Sequence, residues 1–333
     1  MTQKNGSLRL AIPSDGALHE PALAFLRSSG IGVLRTNLRR YTADIPALPG
    51  VSVLFQRASD IPMKVEEGSA DLGVVGYDRY QESHVEGGDT KVVMKSLGFG
   101  HCELVIGVPD SWVDIISLAD LADLSMEFRK EGRDLRIATK FPRLVERFLL
   151  RSGIIYFSLV HSSGTLEIAP AMGFADIIAD ISSSGTTMRE NRLKTIYGGS
   201  IISSEASLIS NRRLLKEDEG KLTLAMKLVD YVEAYLQSRE RYSVTANMRG
   251  ETPEQLARYI LEHTEISGLR GPTIAKVYTS SESEGWYAVT VIVSKHSLLD
   301  AVEQLRRIGA DSVTVSQPNY VFKSECEAHA RLT

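Results

Sequence analysis

The chain has 333 residues, 43% of them hydrophobic and 24% charged, with a formal net charge of -4. That length favours two or three domains and that composition a globular protein with sizeable cores, which excludes a disordered or fibrous chain. The slight acidity gives no general attraction for nucleic acid, so no nucleic-acid partner is expected, and the apolar runs are strand-sized, too short for a membrane span. Cys102 and Cys326 fit neither a disulfide framework nor a zinc spacing. With no long apolar core near the amino terminus, a reducing, cytoplasmic setting is expected.

In chain order, "LRLAI" (8–12) reads as a strand and 17–30 as a helix, with Leu18, Ala22, Phe25 and Leu26 at helical spacing. "VSVLF" (51–55) is a strand, "SDIPMKVEEG" (59–68) a capped short helix, and "ADLGVVG" (70–76) another strand. The grammar then recurs: strand "DLRIAT", helix "KFPRLVERFLLRSG", strand "IIYFSLV", a predicted helix over "GTLEIAPAMG" (164–173), and strand "ADIIADI". "VEEGSADLGVVG" (65–76) and "PAMGFADIIADI" (170–181) share a glycine, one spacer, Ala-Asp and an apolar strand. Two such α/β units predict two lobes with a ligand cleft between them.

"ASLISN" (206–211) returns to strand character, and a charged helix is predicted from Arg212 to about Gln237. The remainder reads strand, helix, strand, strand, helix, strand, the split pattern of a ferredoxin-like domain. Its glycine-rich stretch, 266–277, is the part expected beside a ligand or a neighbouring subunit.

The stretch "DIIADISSSGTTMREN" (176–191) carries the chemistry. As a strand it sets Asp176 and Asp180 on one face, with Asp180 nearer the carboxyl end, where open α/β sheets meet ligands. The following Ser/Gly/Thr turn enters a helix, so amides and the hydroxyls of residues 182–187 converge as a phosphate nest, with Gly185 free to take backbone geometry closed to other residues. Carboxylates can accept from sugar hydroxyls or hold a divalent cation. A sugar phosphate is therefore one reading, and an exposed capped turn the other.

Together with "SDIPMKVEEGSADLGVVG", "LGFGHCELVIGVP" (97–109), "ATKFPRLVERFL", "GTLEIAPAMG" and the tail "WYAVTVIVSKHSLLDAVEQLRRIGADSVTV", this stretch resembles the ATP phosphoribosyltransferases in their long, regulated form. The resemblance covers nearly the whole chain in order. It implies an α/β catalytic part with two lobes like the type II periplasmic binding proteins, and a ferredoxin-like (ACT-like) βαββαβ carboxyl-terminal domain. It also implies joining of the N1 of ATP to C1 of 5-phosphoribosyl 1-pyrophosphate with release of pyrophosphate, a need for Mg2+, inhibition by histidine, and homo-oligomers from dimer to hexamer.

The expected organisation is a first lobe over 1–109 with a return segment and linker helix over 195–239, a second lobe over 110–194, and a regulatory domain over 240–333. The resemblance assigns Ser183, Ser184, Gly185, Thr186 and Thr187 to the 5-phosphate, Asp180 to ribose hydroxyls or to water around Mg2+, and Glu167 to the vicinity of the reacting sugar. Glu167 could equally be a first-turn helix glutamate. Asp71 is placed on the first-lobe ligand wall, with a turn-capping aspartate as the alternative, and Asp176 is an orienting or structural acid. Arg57 and Lys140 are candidates for polyphosphate, against a role as solvated cations. His84, His101 and His161 carry no catalytic assignment.

One departure stands out. Where many members read Pro-Lys-Gly-Arg-Leu, this chain has Pro13-Ser14-Asp15-Gly16-Ala17-Leu18, without either cation and with an added carboxylate. Two rival functions stay open: a two-lobed binding protein for a small anion, and a catalytically weak regulatory paralogue.

Overall fold

A computed structural model of the protein describes residues 7–333 apart from 38, 162–164, 263–269 and 279–284. Its contacts divide it into two compact units, Met1–Lys227 with Glu327–Thr333, and Leu228–Cys326.

The larger unit holds two lobes. The first contains β1 (Leu8–Pro13), α1 (His19–Ser28), β2 (Thr42–Asp44), β3 (Val51–Gln56), α2 (Ile61–Glu66), β4 (Leu72–Gly76), α3 (Tyr77–Ser83) and β5 (Thr90–Met94). The second contains β6 (Cys102–Pro109), α4 (Leu118–Lys130), β7 (Leu135–Thr139), α5 (Pro142–Arg151), β8 (Phe157–His161), β9 (Ile177–Ser182), α6 (Thr186–Glu190) and β10 (Leu193–Ser204). The chain then returns to the first lobe as β11 (Ala206–Asn211). The sheet orders are β2-β3-β1-β4-β11-β5 and β10-β6-β9-β7-β8. β1 runs parallel to β3 and β4, and β7 parallel to β8 and β9. All five residues of β4 are buried, as expected for a continuous apolar strand covered on both faces.

β6 and β10 both lie in the second sheet, so the lobes exchange at 95–101 and at Glu205, rather than at 109 and 195 as the sequence suggested. The reason is pairing: β10 and β6 form an antiparallel ladder from Leu193↔Pro109 to Ser204↔Cys102. The two crossing segments are joined to each other, since Leu97 N donates to Ala206 O (2.9 Å) and Ala206 N to Phe99 O (3.0 Å).

The predicted helix over 164–173 is absent. Gly164 lies outside the described residues, and 167–173 form successive turns. Pro170 has no N–H to continue a helix there, and the chain closes instead through Met172 N to Ile168 O and Phe174 N to Ala169 O. α5 meets its expectation, burying Leu144, Val145 and Leu149 on one side.

The helix expected from Arg212 is two helices, α7 (Arg212–Glu217) and α8 (Glu219–Arg239). Asp218 breaks the run with an extended backbone, and its carboxylate accepts Lys221 N at the start of α8. Among the described residues no helix is long and apolar enough to cross a membrane.

The smaller unit carries β12 (Arg241–Arg249), α9 (Pro253–Leu261), β13 (Thr273–Val277), β14 (Trp286–Ser294), α10 (Leu298–Arg307) and β15 (Ala310–Ser316). The sheet order β13-β14-β12-β15 is the ferredoxin-like arrangement. Val244, Ala246 and Met248 of β12 alternate inward against Leu256, Ile260, Ala301 and Leu305 of the helices. Of the glycine-rich stretch, 266–269 lies outside the described residues and 273–277 is β13. Residues 327–333 belong with the larger unit and not with a terminal domain running to 333. Leu332 is fully buried there, and Ser210 Oγ donates to its carbonyl.

Candidate functional site

β9 delivers the loop. Beyond Ser182, Gly185 adopts φ +71°, a left-handed conformation, and directly precedes α6. The turn is tied internally: Gly185 N donates to Ser182 Oγ (3.0 Å), and Ser184 Oγ to Thr186 Oγ1 (3.0 Å). Arg189 Nη2 donates to Ser184 O and Thr186 Oγ1, both at 3.3 Å, which brings a cation to the turn. Ser183, Ser184, Thr186 and Thr187 are exposed. With Glu167 and Asp180, residues 181–188 line a concavity of about 70 Å³. α6 has only five residues, so its macrodipole is small. The amides that begin it lack intrahelical acceptors, and the hydroxyls of the turn stand beside them.

Asp180 is half-buried and accepts Ile181 N at 2.8 Å. Burial pushes its carboxyl above the ordinary range, the Ile181 hydrogen bond and the charges of Lys140 and Arg79 pull it back, and Glu167 adds to the rise. These four side chains thus share one electrostatic neighbourhood. Lys140 directly follows β7, at the same strand ends as the loop. Arg79 comes from α3 of the other lobe: its Nη1 donates to Lys140 O (3.3 Å), and its guanidinium lies 3.9 Å over the buried Phe141 ring. One turn on, the Glu82 carboxylate accepts the amides of Arg143 and Leu144, each at 3.0 Å, capping α5 from across the cleft. Sequence reading missed Arg79, Glu82 and Arg189. The i, i+3 spacing of Arg79 and Glu82 on one helix face was the available signal for the first two.

Asp71 and Asp176 are not in this neighbourhood: Asp71 does not take its expected place on the first-lobe ligand wall, and Asp176 has the structural role of its two readings, not a place at the ligand. Each stands just before its strand, at the opposite end from the loops. Asp176 is four extended residues, about 13 Å, back along the chain from Asp180. Arg9 binds Asp71 through its backbone N (2.8 Å), Nε (3.0 Å) and Nη2 (2.8 Å), and Nη2 also donates to Gly68 O. Arg136 binds Asp176 through its backbone N (2.8 Å) and Nη2 (2.9 Å), and its Nη1 donates to Gly173 O. In return Asp71 N donates to Arg9 O and Asp176 N to Arg136 O. The internal repeat therefore has a physical content: an Arg–Asp–Gly clamp that fastens two parallel strands, built once in each lobe. Lys221 completes the first clamp and Arg133 the second.

Arg57 is exposed just beyond β3, at the carboxyl ends of the first lobe's parallel strands. The turn Ser14–Ala17 leaves β1 at the same end, with Asp15, Gly16 and Ala17 exposed. Cys102 is partly buried, and burial pushes its thiol up to about 11, which makes it an inert packed thiol. The side chain of His161 lies outside the described residues.

A family model described as ATP phosphoribosyltransferase matches residues 57–234, and one for the HisG C-terminal domain matches 238–318. The chain is 39% identical over 323 residues to ATP phosphoribosyltransferase 1, chloroplastic, of Arabidopsis thaliana, covering 96% of this chain and 78% of that protein. The chain belongs to the ATP phosphoribosyltransferase family. A member from Nitrobacter winogradskyi is 33% identical over 95% of this chain and 94% of its own length. One from Brucella melitensis is 43% identical over 210 residues, 62% of this chain and 91% of its own. A chain of the ATP phosphoribosyl transferase (HisG:HisZ) complex from Thermotoga maritima shares the fold, with a TM-score of 0.52 at 23% identity, over 68% of this chain and 98% of that one. The protein is thus an enzyme, an ATP phosphoribosyltransferase acting at the first step of histidine biosynthesis, in the long form with a separate carboxyl-terminal domain.

Proposed function

We propose that the concavity after β9 holds the 5-phosphate of 5-phosphoribosyl 1-pyrophosphate. Amides and hydroxyls of Ser183 to Thr187 bind it, with Arg189 as the nearby cation. The observation that carries this is the pairing of a left-handed Gly185 turn with two carboxylates, Asp180 and Glu167, on one small cavity. The turn donates hydrogen bonds to an anion, and the acids accept them from ribose hydroxyls. N1 of ATP displaces pyrophosphate at C1, so positive charge grows on the ribose ring while the leaving group gains negative charge. Asp180 and Glu167 face the first of these charges. Lys140 and, from the first lobe, Arg79 and Arg57 face the second. Placement and electrostatics do the work, with no covalent nucleophile.

Oxygen donors suit Mg2+, which keeps several waters and is held through one or two carboxylates together with substrate phosphates. Asp180 and Glu167 fit that pattern, since their electrostatic coupling sets two carboxylates around one cavity. When bound, the ion would neutralise pyrophosphate charge. The ferredoxin-like domain is read as the sensor for histidine, and the assembly as homodimers that build hexamers.

Incubation with ATP, phosphoribosyl pyrophosphate and Mg2+, with and without histidine, should give phosphoribosyl-ATP and pyrophosphate, with histidine lowering the rate. Tight binding of both substrates without product would favour a two-lobed anion-binding protein. The exposed Ser14–Ala17 turn favours weakened anion capture, because Asp15 adds a negative charge beside the phosphates. The double variant D15K/A17R is expected to lower the KM for phosphoribosyl pyrophosphate by roughly three- to tenfold at low salt, from about 1 kcal/mol of recovered attraction. An unchanged KM would remove this turn from the phosphate site.

A further inference from the structure

α5 begins without a cap of its own. Phe141, just before it, offers no side-chain acceptor, and Pro142 has no N–H, so Arg143 and Leu144 carry the first amides that need partners. A carboxylate 61 residues away, on the other lobe, takes both. Arg143 N donates to Glu82 Oε1 and Leu144 N to Glu82 Oε2, each at 3.0 Å, while Arg143 Nη1 donates back to the Glu82 carbonyl (3.0 Å). One turn earlier on α3, Arg79 holds the two residues before the proline, donating to Lys140 O and covering the Phe141 ring. Between them, Arg79 and Glu82 hold every residue from 140 to 144 except Pro142.

Both sides of this contact are anchored. α3 is fixed where it starts, because Ser204 Oγ donates to Asp78 Oδ1 (2.6 Å) and accepts Asp78 N (2.9 Å). In the second lobe, Phe141 and Leu144 belong to the buried core, and Phe141 N donates to Thr139 Oγ1 (3.0 Å). Glu82 and Lys140 are both half-buried, so water screens the charges only in part. A helix cap is ordinarily supplied by the residue next to the helix. Supplied from the facing lobe through two charge-assisted hydrogen bonds, it fixes the orientation of one lobe's segment against the other. Glu82 does not line the cavity at the loop, yet the backbone that it secures carries Lys140.

We propose that Glu82 is a positioning residue for the transfer: by seating the start of α5 against the first lobe, it sets where the Lys140 ammonium stands as pyrophosphate leaves. The proposal rests on the reading of Lys140 as a cation for the leaving group. As the N1–C1 bond forms, the C1–O bond breaks and its electron pair stays with pyrophosphate. A cation stabilises that growing charge fully only if it is already in place. A misplacement of about 1 Å, even from a change remote from the reacting atoms, can cost about 100-fold in rate. Glu82 touches no reacting atom and acts through the backbone of 140–144. Capture of the 5-phosphate by the β9 loop does not pass through that segment, so the effect of Glu82 falls on kcat and not on binding.

The test is a double-mutant cycle in the full-length protein, with ATP, phosphoribosyl pyrophosphate and Mg2+ as substrates. Glu82→Ala is expected to lower kcat by about tenfold to 100-fold and to leave the Kd for phosphoribosyl pyrophosphate, read by calorimetry, within about twofold. Glu82→Gln keeps an acceptor for one amide and should lose less, about threefold to tenfold; it carries the cycle if the alanine variant melts below the assay temperature. In a Lys140→Ala background, itself slower than wild type, either change at Glu82 should cost less than about twofold, because the group it positions is gone. An undiminished loss in that background makes Glu82 a structural cap alone and overturns the proposal. A higher kcat in Glu82→Gln overturns it too, since the carboxylate would then oppose the leaving group. Lys140→Ala with wild-type kcat removes the reading of Lys140 itself, and the proposal falls with it.

Discussion

Replacing Gly185 with valine is expected to weaken phosphoribosyl pyrophosphate binding by roughly a hundredfold or more. A left-handed backbone costs an L-residue about 1–2 kcal/mol, more when it is β-branched, so the turn refolds. The new Cβ would also stand 3.0 Å from Arg189 Nη1, displacing the cation that bridges Ser184 and Thr186. Each hydrogen bond to a charged phosphate is worth about 1.5–3 kcal/mol, so losing two of them gives about 3–6 kcal/mol, or 10² to 10⁴ in affinity. Alanine brings the same Cβ without the branch, against the flexible end of Arg189, and should fall nearer tenfold, mostly from the backbone cost. Calorimetric titration with phosphoribosyl pyrophosphate measures both, and wild-type affinity in the valine variant would exclude the loop from the site.

The second large effect concerns stability. Asp71 has no exposed side-chain surface and is bound by Arg9 and Lys221, whose side chains are 25% and 16% exposed. Burial raises its carboxyl, but the hydrogen bonds from Arg9 and Lys221 and the charge of Arg9 outweigh it and hold the group below the ordinary range. Asp71→Asn should cost the larger unit about 3 kcal/mol at neutral pH, the lower end for breaking a buried pair, because the cations keep some solvent. For a unit of this size that is a fall in Tm of roughly 6–12 °C. A depressed folded-state pKa contributes stability that is full above the unfolded value, near 3.9, and is lost as pH falls through the folded one. Wild type and variant should therefore differ most at neutral pH and converge in acid below about pH 4. Thermal melts from pH 7 to pH 3 test this, and a constant gap would show that the carboxylate charge does not hold the strands.

Much of the framework was legible because buried parallel strands leave runs such as "LRLAI", "VSVLF" and "ADLGVVG", and because α5 carries its apolar residues at helical spacing. The split βαββαβ pattern of the small domain was visible for the same reason, since β12 and β14 alternate inward and outward. The turns at 167–173 misled because Leu166, Ala169 and Ala175 bury themselves without a helix, around a proline that forbids one. The lobe boundary was misplaced because β10 is interrupted by register shifts between Thr195 and Ile202, and "LKTIYGGSIISS" has no clean alternation. Asp71 and Asp176 look like site acids in the sequence, where an aspartate beside an apolar strand carries no mark of which end it occupies. Arg9 and Arg136, far away in the chain, decide that, and only folding brings them there.

The two crossing strands have a mechanical consequence. Because Leu97, Phe99 and Ala206 tie them side by side, they act as one strip and not as two independent strings. Two segments paired in this way resist independent displacement more than two separate connections would, so relative motion of the lobes, if tested, is expected to be a hinge about 95–101 and Glu205. Glu205 belongs to that paired crossing, the part of the enzyme such a hinge would displace least.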